Sequence, residues 1–307
     1  MNRRTTALIA ALATTLSGTA TASAGDAAAP EKIVYTRTST DEDRPRAQEV
    51  YVMDADGTDP VRLTENERED AFPSLSPDGT QIAFARRSHR QYDLYVMAAD
   101  GTDVKRLTRT RKADEVLPAW SPGGGALAFT VTTPTDDGWQ SDVYRMRLSD
   151  RRVHRLTFTP QAKEFAPDWA PDGTLIAFTK QVEKRHRYGI ATVTPEGEDL
   201  AWLVVNPRSG DGYTDVNPSW SPDSQWVAFS RDHGDDPYVD IYKVGRDGSE
   251  VEPVTQLFEL AENPVWGGDD RILFMHNQGI AVVPAGGGEV EHLTPVSTGL
   301  PYWWPDW

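Results

Sequence analysis

Carboxylates recur at one position of a repeated motif. Each stands three residues before a proline that opens a segment such as "PSLSPDG" or "PDWAPDG", and one further acid stands two residues before such a proline. The four acids are Asp70, Glu115, Glu164 and Asp215, and the further one is Glu262. Carboxylates gathered at close range are costly unless they bind a metal ion, an amine or a basic peptide. The alternative is structural, with each acid accepting hydrogen bonds from backbone amides of a neighbouring loop.

Histidines supply a second type of ligand. His89, His186, His233 and His276 follow the aromatic residue of the same motif at different distances. Imidazole and carboxylate together bind manganese or zinc, so a divalent cation is the cofactor that these residues could hold. His233 and His276 are the candidate metal ligands, because they lie four and two residues after Phe229 and Phe274. The alternative is that all four are solvent-exposed loop residues without a ligand.

No catalytic residue is predicted. The sequence contains no G-x-S-x-G nucleophile motif. It also contains no cysteine, which excludes disulfides and thiolate metal sites.

The period of the motif indicates which elements hold these residues. The opening prolines are 41 to 51 residues apart, and a closing pair such as Leu-Thr recurs with the same period; the prolines are Pro73, Pro118, Pro167, Pro218, Pro264 and Pro305. Each unit contains four short apolar segments separated by turn motifs such as "SPDG" and "ADGT", which indicates four β-strands. Units of four strands at this period are typical of β-propeller blades.

Both motifs occur six times, so we predict an all-β, six-bladed propeller as a single domain over residues 32–307. The first unit lacks its first strand, and the last unit, "YWWPDW", is a first strand alone. We therefore expect the C-terminal strand to complete blade 1 and to close the ring, which removes the open sheet edge. The Trp or Leu two residues after each proline and the aromatic residue of each second strand are predicted to pack in the core.

A propeller blade sorts its connections onto two faces. The entry to the innermost strand and the loop between the second and third strands lie on one face, here called the loop face; the Asp/Gly-rich turns lie on the other, here called the turn face. The acids and histidines are therefore expected on the loop face. So are Trp139, Tyr213 and Tyr238, which stand in long polar loops and are predicted to contact a partner.

The N-terminus and the charge bound the cellular setting. Residues 1–24 combine "MNRR", a short apolar run and "ASA", which predicts a signal peptide, and residues 25–31 are predicted to be a linker. We therefore expect an exported protein, periplasmic or extracellular. No later segment predicts stable membrane insertion, and the net charge of −16 argues against a nucleic-acid partner.

The segments "SPDGTQIAF", "SPDSQWVAF" and "YVMDADGTDPVRLT" resemble the propeller repeats of the TolB family, over roughly residues 31–307. Because the predicted signal peptide runs almost directly into blade 1, we expect a departure from the family pattern, namely no separate α/β domain before the propeller. The resemblance implies a non-catalytic propeller, expected to be a monomer, that holds a protein, peptide or envelope component at an acidic channel mouth. Such propellers also occur in lyases and beside peptidase domains, so the alternative is a metal-dependent lyase or hydrolase acting on glycans at the same face.

Overall fold

In the computed structural model, the described residues are 32–38, 48–136, 138–160, 162–181, 188–205, 213–234, 236, 238–295 and 302–307. These residues form 24 strands, and none of their segments is a helix long and apolar enough to cross a membrane. The predicted signal peptide and linker, residues 1–31, lie outside the described residues.

The strands form six antiparallel sheets of four strands each, which are the blades. Blade 1 contains, from the channel outward, β24 (Tyr302–Asp306), β1 (Lys32–Thr38), β2 (Gln48–Asp54) and β3 (Val61–Arg62). Blade 2 contains β4 (Asp70–Leu75), β5 (Gln81–Ser88), β6 (Gln91–Ala98) and β7 (Lys105–Arg106); blade 3 contains β8 (Asp114–Trp120), β9 (Ala126–Thr135), β10 (Gly138–Arg147) and β11 (Arg152–Arg155). Blade 4 contains β12 (Glu164–Trp169), β13 (Ile176–Gln181), β14 (Tyr188–Val193) and β15 (Ala201–Val204). Blade 5 contains β16 (Thr214–Trp220), β17 (Trp226–Asp232), β18 (Val239–Gly245) and β19 (Glu252–Pro253); blade 6 contains β20 (Ala261–Trp266), β21 (Arg271–His276), β22 (Gly279–Pro284) and β23 (Glu291–His292).

The ring is closed by the C-terminal strand. β24 pairs antiparallel with β1, with Val34 opposite Asp306 and Arg37 opposite Tyr302. The innermost strands contact one another in a full circle, β24–β4–β8–β12–β16–β20 and back to β24. The predicted six-bladed propeller and its closure through blade 1 are therefore confirmed.

The core lies between the blades and consists of the residues that the repeat predicts. The second-strand aromatics are all at most 1% exposed: Tyr35, Phe84, Phe129, Phe178, Phe229 and Phe274. The tryptophans of the first strands are 3–8% exposed: Trp120, Trp169, Trp220, Trp266 and Trp307. Each of these aromatic side chains fills the space between two neighbouring sheets. A blade can therefore bury its faces only against its neighbours.

The closing motif "RLT" fastens the outer strands of a blade. In five blades its threonine hydroxyl accepts a hydrogen bond from a third-strand amide at 2.8–3.0 Å; the threonines are Thr64, Thr108, Thr157, Thr255 and Thr294. The arginine of the motif bridges the same strands: Arg62 donates from Nε to the Thr64 carbonyl and from Nη2 to Glu49. These bonds satisfy polar groups where the outermost strand is only two to four residues long.

The turn motif "ADGT" joins one blade to the next. Asp56 accepts hydrogen bonds from the amide and hydroxyl of Thr58, which fixes the turn, and Gly57 then adopts a φ of +83°. A Cβ on Gly57 would lie 3.0 Å from the carbonyl carbon of Leu293, which belongs to the closing motif of blade 6. The two repeated motifs therefore meet across the seam between blades, and glycine is required where they meet.

Candidate functional site

The central channel is lined by three consecutive residues from each blade: the opening proline, the residue before it and the residue after it. The cavity has a volume of about 110 Å³. The residue before each proline has a φ between +51° and +57°; the six are Phe72, Leu117, Ala166, Asn217, Asn263 and Trp304. In each first strand the pairing with the second strand shifts register around this residue, which turns the proline toward the channel axis.

The predicted acids do not line this cavity. Asp70, Glu164 and Asp215 are at most 1% exposed, and each is paired with a base on the second strand of its own blade. Arg86 and Arg231 hold their aspartates through two hydrogen bonds each, at 2.6–2.9 Å. In blade 4 the partner is Lys180. Three of the five acids are therefore neutralised and buried, and the expected ring of open negative charge is not present in these blades.

Glu115 and Glu262 have no basic partner among the described residues. Glu115 is 2% exposed and accepts hydrogen bonds from the hydroxyls of Thr108 and Thr110. Val131 stands opposite it, where blades 2, 4 and 5 have a base, and burial raises the pKa of Glu115 to about 7. Burial also raises the pKa of Glu262, with a contribution from the charge of Asp232. As ligand-binding residues these two acids stay a prediction.

Two acids that sequence reasoning missed do line the channel. Asp168 and Asp306 follow the opening prolines of blades 4 and 1, which are opposite each other in the ring. Each accepts a hydrogen bond from an amide of the next blade, Asp168 from Trp220 at 2.7 Å and Asp306 from Leu75 at 2.8 Å. Both residues keep part of their surface exposed to the channel. Desolvation of the carboxyl groups in this narrow space raises the pKa of both to about 7, and the charge of Asp306 adds to the shift at Asp168. The sequence signal that could have identified these two acids is the motif "PDW", which occurs only in blades 4 and 1.

Blade 5 gathers three of the predicted residues. The His233 ring lies 4.6 Å from the ring of Tyr238 and 5.2 Å from that of Tyr213. Its Nε2 is buried without a hydrogen-bond partner, 3.8 Å from a carboxylate oxygen of Asp240. Tyr238 also contacts Phe258, which is 70% exposed and has a φ of +55°. Phe258 was not predicted, because nothing in the repeat marks an exposed aromatic in the linker between blades.

The loops of blade 5 are held in place by backbone pairing. The amide of Val239 donates to the carbonyl of Glu259 at 2.9 Å, and Val239 forms a bridge with Leu260. Trp139 lies apart from this cluster, near the tip of the long β9–β10 hairpin of blade 3, opposite Pro134. It is 59% exposed. The partner residues predicted from the sequence thus fall into two groups, one on blade 5 and one on blade 3.

The second candidate metal ligand, His276, lies in a hydrogen-bonded chain. Its Nδ1 is 2.8 Å from Nε2 of His292, and its Nε2 is 2.7 Å from a carboxylate oxygen of Glu259. Burial lowers the pKa of His292, and the neighbouring His276 adds to the effect. Among the described residues no three histidine or carboxylate groups converge on a point that could hold a metal ion. His233 and His276 belong to different blades, His89 is exposed at the tip of the β5–β6 hairpin, and His186 lies outside the described residues.

The sequence agrees with the architecture. The family model described as the TolB beta propeller domain matches residues 24–179 and 67–268, which together cover most of the chain. The chain belongs to the TolB beta-propeller family. No curated protein matches this TolB-family propeller by sequence.

Solved structures with the same fold include TolB proteins and an enzyme. TolB from Acinetobacter baumannii aligns with a TM-score of 0.71 at 17% identity, covering 90% of this chain and 66% of that one. Putative TolB from Agrobacterium tumefaciens gives 0.56 at 20% identity, with coverages of 72% and 79%. An oligogalacturonate lyase in complex with manganese gives 0.62 at 12% identity, with coverages of 83% and 72%. This TolB-family propeller thus spans just under two thirds of the length of the Acinetobacter protein, and the likenesses show the fold alone.

Proposed function

We propose that the chain is an exported, non-catalytic binding propeller that holds a protein, peptide or other envelope component on its loop face. The observation that carries the proposal is the exposure of large aromatic side chains there, Trp139 at 59% and Phe258 at 70%. Exposed aromatics of this size are costly in water and are enriched at the centres of protein interfaces.

The blade 5 cluster fits the role of a preformed anchor. Tyr213 and Tyr238 both pack on the ring of His233. The pairing of Val239 with Glu259 holds the loop against the linker that carries Phe258. A partner therefore meets side chains that have already lost much of their conformational freedom, which lowers the entropic cost of binding.

The loop-face acids would add selectivity for a positively charged group on the ligand. Glu262 is partly exposed and lacks a basic partner among the described residues, so it can contribute negative charge beside blade 6. Glu115 would contribute only when ionised, because its pKa lies near 7. Asp70, Glu164 and Asp215 would act indirectly, by fixing the first strands through their ion pairs.

Export follows from the predicted signal peptide over residues 1–24, and it would place the partner in the cell envelope. The test uses the mature chain, immobilised as a monomer, to capture proteins from a detergent extract of the envelope. The variant Trp139→Ala/Phe258→Ala should lose the captured protein. The control Val61→Ala/Val153→Ala removes similarly exposed apolar groups (53% and 50%) from outer strands and should retain it. Equal capture by both variants, or no capture by the wild type, would refute the proposal.

A glycan lyase or hydrolase is the second candidate. It is favoured by the hydrogen-bonded series Glu259–His276–His292. A carboxylate that orients an imidazole is the arrangement that histidine general bases use. Incubation with polygalacturonate should then give unsaturated or shortened products, and His276→Ala should abolish them. An inactive wild-type protein, assayed with and without added manganese, would remove this candidate.

A further inference from the structure

Four exposed cations form a patch on the loop face at blades 2 and 3. Arg90 stands at the tip of the β5–β6 hairpin, and Arg109, Arg111 and Lys112 stand in the linker between β7 and β8. Within the part of the chain that the structure describes, no ion pair joins any of the four to an acid. We call this group the basic patch.

The two segments of the basic patch are tied together. The side-chain amide of Gln91 donates to the carbonyl of Arg111 at 2.6 Å, and the amide of Tyr92 donates to the carboxylate of Asp114 at 2.8 Å. The hairpin itself turns within two residues between Ser88 and Gln91. The cations are therefore presented by fixed backbone rather than by a long free loop, which preserves their arrangement when a ligand binds.

The basic patch contrasts with the rest of the molecule. The chain has a net charge of −16, and the turn face carries acids in the repeated turns, among them Asp56, Asp78, Asp100, Asp172 and Asp247. Other arginines at strand ends are paired with acids; Arg62, Arg106 and Arg155 bind Glu49, Asp93 and Asp142. Asp114 is the one acid in the two segments, residues 89–91 and 109–114, so four positive charges there face a single negative one. The cations therefore still repel one another, and an anionic ligand would relieve that repulsion.

The surroundings of the basic patch favour a short ligand over an extended one. Exposed Glu65 and Glu67 stand in the preceding linker on the same face, beside blade 2. A flat anionic membrane, or a long anionic polysaccharide, would meet these carboxylates as well as the cations. An extended segment of about six residues spans at most about 20 Å and can remain on the cations alone.

We propose that the basic patch binds a short acidic segment of a partner protein. Carboxylates of that segment would pair with the guanidinium groups of Arg90, Arg109 and Arg111 through charge-assisted, two-point hydrogen bonds. The inference rests on the proposed function, and it adds the chemistry of the partner: one acidic stretch at blades 2 and 3, beside an apolar contact at blades 3 and 5. Electrostatic attraction of the acidic segment by the basic patch would also counteract the repulsion between an acidic partner and the acidic propeller.

The test measures fluorescence anisotropy of a labelled hexaglutamate peptide with the mature chain over a range of NaCl concentrations. The wild type should bind with an affinity that falls as salt rises. Arg109→Glu/Arg111→Glu should weaken binding by at least about tenfold, because two attractions become repulsions. Lys105→Glu/Arg152→Glu makes the same change in net charge at exposed cations of outer strands, and it should change the affinity less than about twofold.

Two results of the binding assays would overturn the inference. One is equal weakening in both variants, which would make the effect one of net charge. The other is tighter binding of oligogalacturonate or of phosphatidylglycerol vesicles than of the peptide, which would assign the patch to a glycan or a membrane. The envelope capture separates this inference from the proposed function. A partner retained by Arg109→Glu/Arg111→Glu but lost by Trp139→Ala/Phe258→Ala would refute the patch and leave the binding propeller standing.

Discussion

The seam between blades 6 and 1 can be tested with a single methyl group. Gly57 has a φ of +83°, and an added Cβ would lie 3.0 Å from both the carbonyl carbon and the Cβ of Leu293, and closer still to its carbonyl oxygen. Gly79 provides a matched control, since its φ is +68° but nothing lies within 4 Å of its Cβ position. Both substitutions to alanine incur the same backbone penalty, and only Gly57→Ala also forces the two blades apart.

The expected magnitudes follow from these two terms. A left-handed alanine costs about 1–2 kcal/mol, and the reduced entropy of the unfolded chain returns about 0.4–1 kcal/mol. Gly79→Ala should therefore cost no more than about 1.5 kcal/mol. Overpacking against backbone adds about 1–3 kcal/mol, so Gly57→Ala should cost about 1–4.5 kcal/mol, which is about 1–3 kcal/mol more than Gly79→Ala.

The assay is thermal unfolding followed by far-UV circular dichroism. A loss of 1 kcal/mol lowers the Tm by roughly 2–4 °C in a chain of this size, so Gly57→Ala should unfold several degrees below Gly79→Ala. Equal Tm values for the two variants would refute the reasoning, because they would show that the seam yields at no cost and that the turn glycine is needed only for its dihedral angle.

Three further predictions concern the closure of the ring, a buried ion pair and a carboxyl group of the channel. Trp307→Ala should lower the free energy of unfolding, measured in urea, by about 3–5 kcal/mol. The control Trp139→Ala should stay within about 0.5 kcal/mol of the wild type. Similar losses in the two variants would contradict the closure of the ring by the C-terminal strand. Arg231→Ala should lower the free energy of unfolding by about 3–5 kcal/mol, because it leaves Asp215 buried without a partner. Asp215→Leu/Arg231→Met should recover most of that loss. No recovery would mean that the pair is needed for more than charge balance. The pKa of Asp168 is raised from 3.8 to about 7, so its stabilising effect is complete below about pH 4 and is lost as the pH rises through about 7. Asp168→Asn cannot ionise and should be more stable than the wild type by about 1.5 kcal/mol at about pH 5 and by about 4 kcal/mol at about pH 8, as measured by urea unfolding; the same difference at both values would contradict the assigned pKa.

The architecture could be predicted from the sequence because its signals are local and repeated. The opening proline, the aromatic residue of the second strand and the closing Leu-Thr pair each recur six times, in full or in a related form, and each has one structural role. The incomplete first and last units also predicted the closure, and Trp307 occupies the core position expected of it.

The polar contacts between strands could not be predicted in the same way. The pairing of Asp70 with Arg86 depends on the register of β4 against β5, which is shifted by a bulge at Phe72. Left-handed backbone is unexpected for phenylalanine, leucine and tryptophan, so no propensity rule predicts this bulge in blades 1, 2 and 3. The tertiary packing of the ring overrides local preference there, and the same bulge moves the predicted acids away from the channel and brings Asp168 and Asp306 into it.

In such a propeller, positions where one blade departs from the repeat indicate function better than positions that the blades share. An ion pair found at the same place in blades 2, 4 and 5 serves a need that those blades share, which is the anchoring of the first strand. Blade 3 has Val131 where the base should be, and blade 6 has Ala261 in place of the acid and His276 in place of the base. The first departure leaves Glu115 with a pKa near 7, and the second forms the hydrogen-bonded series from Glu259 through His276 to His292.

Neither arrangement is required to hold a blade, since the other blades are held without it. Substitutions that restore the repeat, Val131→Arg and Ala261→Asp with His276→Arg, should therefore preserve folding while altering ligand binding, and envelope capture by the restored protein at wild-type level would show that these departures are neutral.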